Sequence, residues 1–133
     1  LKGECAGATV EEKVPDFATA QKRIQQSEAL LTHGEYAASI RESYHACSDS
    51  AHVPLYTKLV DPFNVEQTMW EFENLLVRTG EAAGKWMDIS ITLKDLAGQE
   101  PTEELAARML GIAKEIYAEC ERVQANLTAT TKN

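Results

Sequence analysis

The chain has 133 residues, 44% hydrophobic and 26% charged, which suits one globular domain able to bury roughly two-thirds of its unfolded surface. A net charge of −8, with the thirteen basic residues scattered, excludes a duplex nucleic-acid binder, which needs clustered Lys and Arg to neutralise phosphates. No apolar run approaches the ~18 residues of a membrane span. The three cysteines, Cys5, Cys47 and Cys120, form no CxxC pair, so neither a zinc ribbon nor a thioredoxin-type site is expected. They point to a reduced, cytoplasmic setting.

In chain order, residues 1–14 (LKGECAGATVEEKV) have no hydrophobic period and read as a linker or disordered arm. The chain begins at Leu1 and not Met, from which we expect a piece of a larger protein. Pro15-Asp16 predicts the start of a first helix, with Asp16 as N-cap and Phe17, Ala20, Ile24, Ser27 and Leu31 facing inward. His33-Gly34 ends it, and the short link predicts an antiparallel hairpin with the next helix.

That next stretch, Gly34 to Leu59, is the centre of the sequence. Ala37, Ile40, Tyr44, Cys47, Ala51 and Leu55 draw one apolar stripe at steps of three and four. Pro54 is expected to kink or end the helix, and Asp61-Pro62 to start another. Beside the stripe run Arg41, His45, Asp49 and His52, which place two of the chain's three histidines and a carboxylate on one helical face.

Val65, Met69, Phe72, Leu76, Thr79, Ala83 and Trp86 predict one long third helix, weakened at Gly80 and Gly84, which either permit a close helix approach or are tolerated flaws. Ile89 to Leu96 alternates apolar and polar residues, but a lone strand has no partner, so a helical extension or loop is expected. Gly98 to Pro101 is a turn. Thr102 then caps a last helix with Leu105, Met109, Ile112, Ile116, Val123 and Leu127 inside, and a disordered tail is expected over 128–133. The sum is an all-α, up-down antiparallel bundle of four to five helices over residues 15–127.

A helix ending in LLTHGEY and followed by AASIRESYHACSDSAHVPLYTKL resembles the HEPN family of helical bundles. Gly34, Tyr36, Ala37, Tyr44, Ala46 and Ala51 carry the resemblance. It implies a four- to five-helix fold, usually dimeric, among whose members are ribonucleases, inactive partner- or nucleotide-binding domains and bundles appended to larger enzymes. The family's ribonuclease signature is an Arg followed four to six residues later by His, late in the bundle. Here Arg78 and Arg108 precede no histidine, and Arg41 and His45 are separated by only three residues on the second helix. Appended bundles of this type also resemble part of redox enzymes of the nitrite or sulfite reductase kind, though no cluster-binding cysteine motif is present.

The Arg41, His45, Asp49 and His52 face is the candidate ligand-binding site. Two His and a carboxylate at one-turn spacing could also hold a divalent metal, but no later helix supplies another His. Ordinary helix-neighbour pairs, Arg41 with His45 and Asp49 with His52, are the simpler reading. Trp70, Trp86, Met69 and Met87 could line a ligand pocket between helices, but at these spacings core packing is the expected reading. Trp70 lies off the core stripe and is the candidate partner-facing aromatic. No GxSxG nucleophile elbow and no phosphate loop occur. The sequence therefore points to a non-catalytic binding or regulatory module with no cofactor, partnered by a second copy or a larger parent protein. A HEPN-type ribonuclease or metal-binding enzyme using Arg41, His45, Asp49 and His52 is the alternative, and a small ligand or nucleotide a further one.

Overall fold

The computed structural model describes residues 14–131. The arm expected over 1–14, Val14 excepted, lies outside them. The described chain is all-helical: α1 Phe17–Thr32, α2 Tyr36–Thr57, α3 Val65–Phe72 continued by a π-helical turn Glu73–Val77, a 3₁₀ turn Gly84–Trp86, α4 Ile89–Ala97 and α5 Glu103–Thr131. No helix among the described residues is long and apolar enough to cross a membrane.

The hairpin of α1 and α2 forms for the reasons its residues suggest. Asp16 accepts from the Thr19 amide (3.1 Å), which satisfies one of the free donors of the first turn. At the other end the Gly34 amide donates to the Leu31 carbonyl and the Glu35 amide to the Leu30 carbonyl, with Gly34 at φ +78°. This is a Schellman stop with glycine in its left-handed position. A fully buried serine seam holds the two helices together. Ser27 Oγ meets the Oγ atoms of Ser39 (2.8 Å) and Ser43 (2.7 Å) and donates to the Ser39 carbonyl, while Ser39 Oγ donates to the Ser27 carbonyl. Small side chains let the backbones approach, and the reciprocal bonds leave no orphan hydroxyl in the dry interface.

α2 is the hub of the bundle and packs most extensively on α1 and α5. Cys47, Ala51 and Leu55 are buried as the apolar stripe predicts; Ala37 is exposed and Tyr44 half-buried. Ser39, Ser43, Ala46, Ser50, Val53 and Pro54 are buried as well, because α2 is covered on more than one side. The helix passes through Pro54 and ends one turn later. Leu59, at φ +67°, then takes the left-handed position of a second Schellman stop, with the Leu59 amide on the Tyr56 carbonyl and the Val60 amide on the Leu55 carbonyl.

The restart falls three residues beyond the predicted Asp61-Pro62. Asn64 is the N-cap and accepts from the Gln67 amide (2.8 Å), while Gln67 reaches back to the Phe63 amide (2.8 Å). Residues 58–64 carry the chain back alongside α2, with Asp61 beside His52. The Glu66 carboxylate is close enough to influence Tyr44 near the start of α2, and Lys58 Nζ at its end donates to the Leu75 carbonyl (2.9 Å). α2 and α3 therefore run in the same direction. α5 also runs with α2: Thr57 and Gln124 bond at one end, and Pro101 lies beside Ala37 and Ile40 at the other. The simple up-down alternation is broken at the 58–64 crossing.

The long third helix of the sequence reading stops at Val77. Arg78 N–H reaches Glu73 O (2.8 Å), a five-residue step, and Gly80 at φ +85° turns the chain. Thr79 and Ala83 are exposed, so their agreement with the heptad was coincidental. Nothing lies within 4 Å of a Cβ built at Gly80 or Gly84, so no helix approaches closely there. Residues 89–97 form α4, whose first turn is satisfied by a buried side chain from another element: Glu73 Oε2 accepts from the Ser90 amide at 2.6 Å. α5 begins at the predicted Thr102 cap, bonded to the Leu105 amide (3.1 Å), and continues through Thr131, past the Leu127 boundary expected for the tail.

The segment between α3 and α4 is tied to α5 by charge. Glu119 accepts from the Ala83 amide (2.7 Å) and Arg122 (2.6 Å), and Arg122 also reaches the Glu81 carbonyl. Lys58 pairs with the Glu81 carboxylate. The Arg122 hydrogen bond, assisted by the Ala83 amide, holds the Glu119 carboxyl below its ordinary value.

Two outcomes follow from these stops and ties. Gly34→Ala should cost about 1 kcal/mol, whereas Leu59→Gly, which removes a strained side chain that is 94% exposed, should stabilise by about 0.5 kcal/mol in urea unfolding. Because the folded Glu119 pKa lies below the unfolded value, its contribution is full above pH 4.5 and lost as pH falls through the folded pKa. Wild type and Glu119→Gln should therefore differ in urea midpoint at pH 7 and converge on acidification toward pH 3 (about one to two units below the unfolded carboxyl).

Candidate functional site

The four residues predicted to share a face on α2 do lie along that helix, but the fold gives each a different setting. Asp49 turns to α1, where its Oδ2 accepts from Arg23 Nε at 2.6 Å, and Arg23 also reaches Glu42 at 3.2 Å. His52 donates from Nε2 to Asp61 Oδ1 (2.7 Å) on the crossing segment. His45 is half-buried, with its ring edge-on to Tyr44 at 6.1 Å. Arg41 is exposed and lines a cavity at the opposite end from His52. The helix-neighbour pair of Asp49 with His52 gives way to partners on α1 and the crossing segment. Long-range carboxylates and guanidinium groups in fixed geometry outweigh a flexible pair worth only a few tenths of a kcal/mol.

Asp49 and His52 do border one shallow cavity of about 250 Å³, with Val14, Pro15, Asp16 and Thr19. Among the described residues, no group of three or more His, Cys, Asp or Glu side chains has the geometry to hold a metal ion.

The other predicted residue, Trp70, stands in a more developed setting. It is 58% exposed on the outer side of α3, facing Ile91 of α4, which is 69% exposed. Between them is an open groove of about 420 Å³, bordered also by Glu66, Gln67, Ser90 and Lys94. Lys94 Nζ and Glu66 Oε2 pair across it at 3.0 Å. The Glu66 hydrogen bond holds the Lys94 ammonium above its ordinary pKa. One turn before Gln67, Phe63 is 95% exposed at the head of the same helix. Scattered apolar side chains on a surface mean little, but Trp70 and Ile91 border one groove together.

The groove is an indirect product of local structure. The π-helical turn carries Glu73, which anchors the first turn of α4, so the two helices that frame the groove are fixed to each other at one end. Lys94 and Glu66 join them at the other. Trp70 was legible in the sequence because it falls off the core stripe. Ile91 was not singled out, although in a helix whose inner positions are Ile89, Leu93 and Leu96 it must point outward.

No protein-family model matches the chain, and a search of curated proteins finds no relative.

The partition of the α2 face has a simple readout. Asp49→Asn should lower unfolding free energy by about 1 kcal/mol through loss of the half-buried Arg23 pair, whereas Arg41→Gln should change it by less than about 0.5 kcal/mol, both measured by urea unfolding at pH 7.

Proposed function

We propose that the chain is a non-catalytic helical binding module, similar to the HEPN bundles, that pairs with a second copy of itself through the α3–α4 face. The observation that carries the reading is the pair of exposed apolar side chains, Trp70 and Ile91, that border one groove on an otherwise strongly acidic chain. Tyr, Trp and Phe are enriched in the buried centres of interfaces, and Trp is prominent among the residues that dominate their energy. The Glu66–Lys94 pair at the rim is self-complementary. A two-fold axis through the groove would set each acid against the partner's base, avoiding the like-charge contact that a net charge of −8 threatens elsewhere.

The HEPN-like assignment is supported by the hairpin that carries the resemblance. LLTHGEY forms a glycine-stopped turn between two close-packed helices, and Tyr44, Ala46 and Ala51 face into or along the bundle from α2. A binding role is further supported by the engagement of Asp49 and His52 in pairs that tie elements together.

Sedimentation equilibrium should report a dimer for the wild type. Trp70→Ala and Ile91→Asp should each shift it to monomer by at least about tenfold in dissociation constant, with the helical circular dichroism unchanged. A wild type that stays monomeric up to about 100 µM, well above the range of a specific homodimer, overturns the reading.

A further inference from the structure

At the end of the bundle opposite His52, a separate cavity of about 330 Å³ opens between the start of α2, the end of α4 and the turn before α5. Its apolar lining includes Ile40, Ala97 and Pro101, and three polar side chains border it: Arg41, Tyr44 and Gln99. Arg23, Lys58, Lys85, Lys94, Lys114 and Arg122 each pair with a carboxylate. Arg41 has no hydrogen-bond or ion-pair partner among the described residues, and neither has the Tyr44 hydroxyl. The Gln99 amide is held only by a long 3.5 Å contact to Asp95.

We propose that this cavity binds one carboxylate attached to a compact apolar group. The Arg41 guanidinium takes the two carboxylate oxygens as a planar fork, and the Tyr44 hydroxyl and Gln99 amide supply the remaining donors. The apolar body rests on Ile40, Ala97 and Pro101. Burial, with Glu66 adding to it, holds the Tyr44 phenol above its ordinary range, so it remains a donor at neutral pH. The volume admits roughly ten non-hydrogen atoms, taking ~30 Å³ for each, which is the low end of small-molecule sites.

Charge selects the class of anion. One guanidinium balances one negative charge. A phosphate dianion or a nucleotide would leave charge uncompensated near Asp95, on a chain already at −8. A planar monoanion is also the shape that a guanidinium fork matches best. The inference is independent of the α3–α4 face, since none of Arg41, Tyr44 or Gln99 borders the Trp70 groove.

Both a free organic acid and the C-terminus of a peptide present this chemistry, so the titration carries both. Calorimetry on the full chain should show saturable binding of 4-methylpentanoate or of N-acetyl-Ala-Leu with a free terminus. The matching 4-methylpentanamide and the amidated peptide should bind at least about tenfold more weakly. Arg41→Gln should give the same loss with an unchanged thermal midpoint, Arg41→Lys a smaller one, and Tyr44→Phe a loss of a few-fold. Arg108→Gln, which removes an exposed cation on α5 away from this cavity, should change nothing. Tighter binding of the free acid assigns a metabolite-sized ligand, and tighter binding of the peptide acid assigns a chain terminus; either upholds the carboxylate site. Equal binding of acid and amide, undiminished binding by Arg41→Gln, a preference for inorganic phosphate, or no binding of either acid up to about 10 mM overturns it.

Discussion

The structure depends on the burial of α2 against α1 and α5 at once. A helix covered on several sides cannot rely on a single stripe of large apolar residues, because bulky side chains all round would hold its neighbours away. The chain resolves this with serine and alanine. Ser27, Ser39 and Ser43 close the α1 side through mutual hydrogen bonds, while Cys47, Ala51 and Leu55 join the core that α5 completes with Met109, Ala113 and Ile116. Polar groups at zero exposure are costly unless paired, and here each hydroxyl of the seam is paired. Shape and hydrogen bonding thus specify the α1–α2 contact, with apolar area supplied mainly by the opposite side.

From that hub, the rest of the architecture is a matter of how the chain returns. A tight turn after α2 would have sent α3 back antiparallel. The left-handed Leu59 and the short extended run to Asn64 lay the chain alongside α2 before it becomes helical again, which sets α3 parallel to α2 and puts Trp70 on the outside. The π-helical turn then brings Glu73 under the first amides of α4. Wide turns of this kind are frequent at functional sites, and here it positions one wall of the Trp70 groove. The surface features of interest are therefore consequences of backbone irregularities.

Those irregularities mark the boundary of what the sequence discloses. The α1–α2 hairpin, Asp16, Gly34, Thr102 and the inward positions of α5 were all readable, because caps, left-handed glycines and a sustained helical period act within a few residues. The return past Asp61-Pro62 was not. A proline suits the first turn of a helix, yet Asn64 with Gln67 offers two reciprocal bonds where Asp61 instead finds His52. Likewise the heptad through Thr79, Ala83 and Trp86 looked continuous because Trp86 is buried, but it arrives in the core by a 3₁₀ turn. The candidate site shows the same limit. Spacing placed Arg41, His45, Asp49 and His52 on one helix correctly, and it could not reveal that Arg23, twenty-six residues from Asp49 in sequence, would claim that carboxylate.

The two sulfurs at the heart of the bundle have a further consequence. Cys47 on α2 and Cys120 on α5 are both fully enclosed and unbonded, and burial pushes the Cys47 thiol up to about 12 and Cys120 well above its ordinary value. Thiolate is the reactive form, so alkylating reagents and peroxide find almost none of it while α2 and α5 remain together. Either residue becomes a nucleophile only when the central helix parts from its neighbour. The rate at which a maleimide reaches those sulfurs is accordingly a clock for the opening of the core itself.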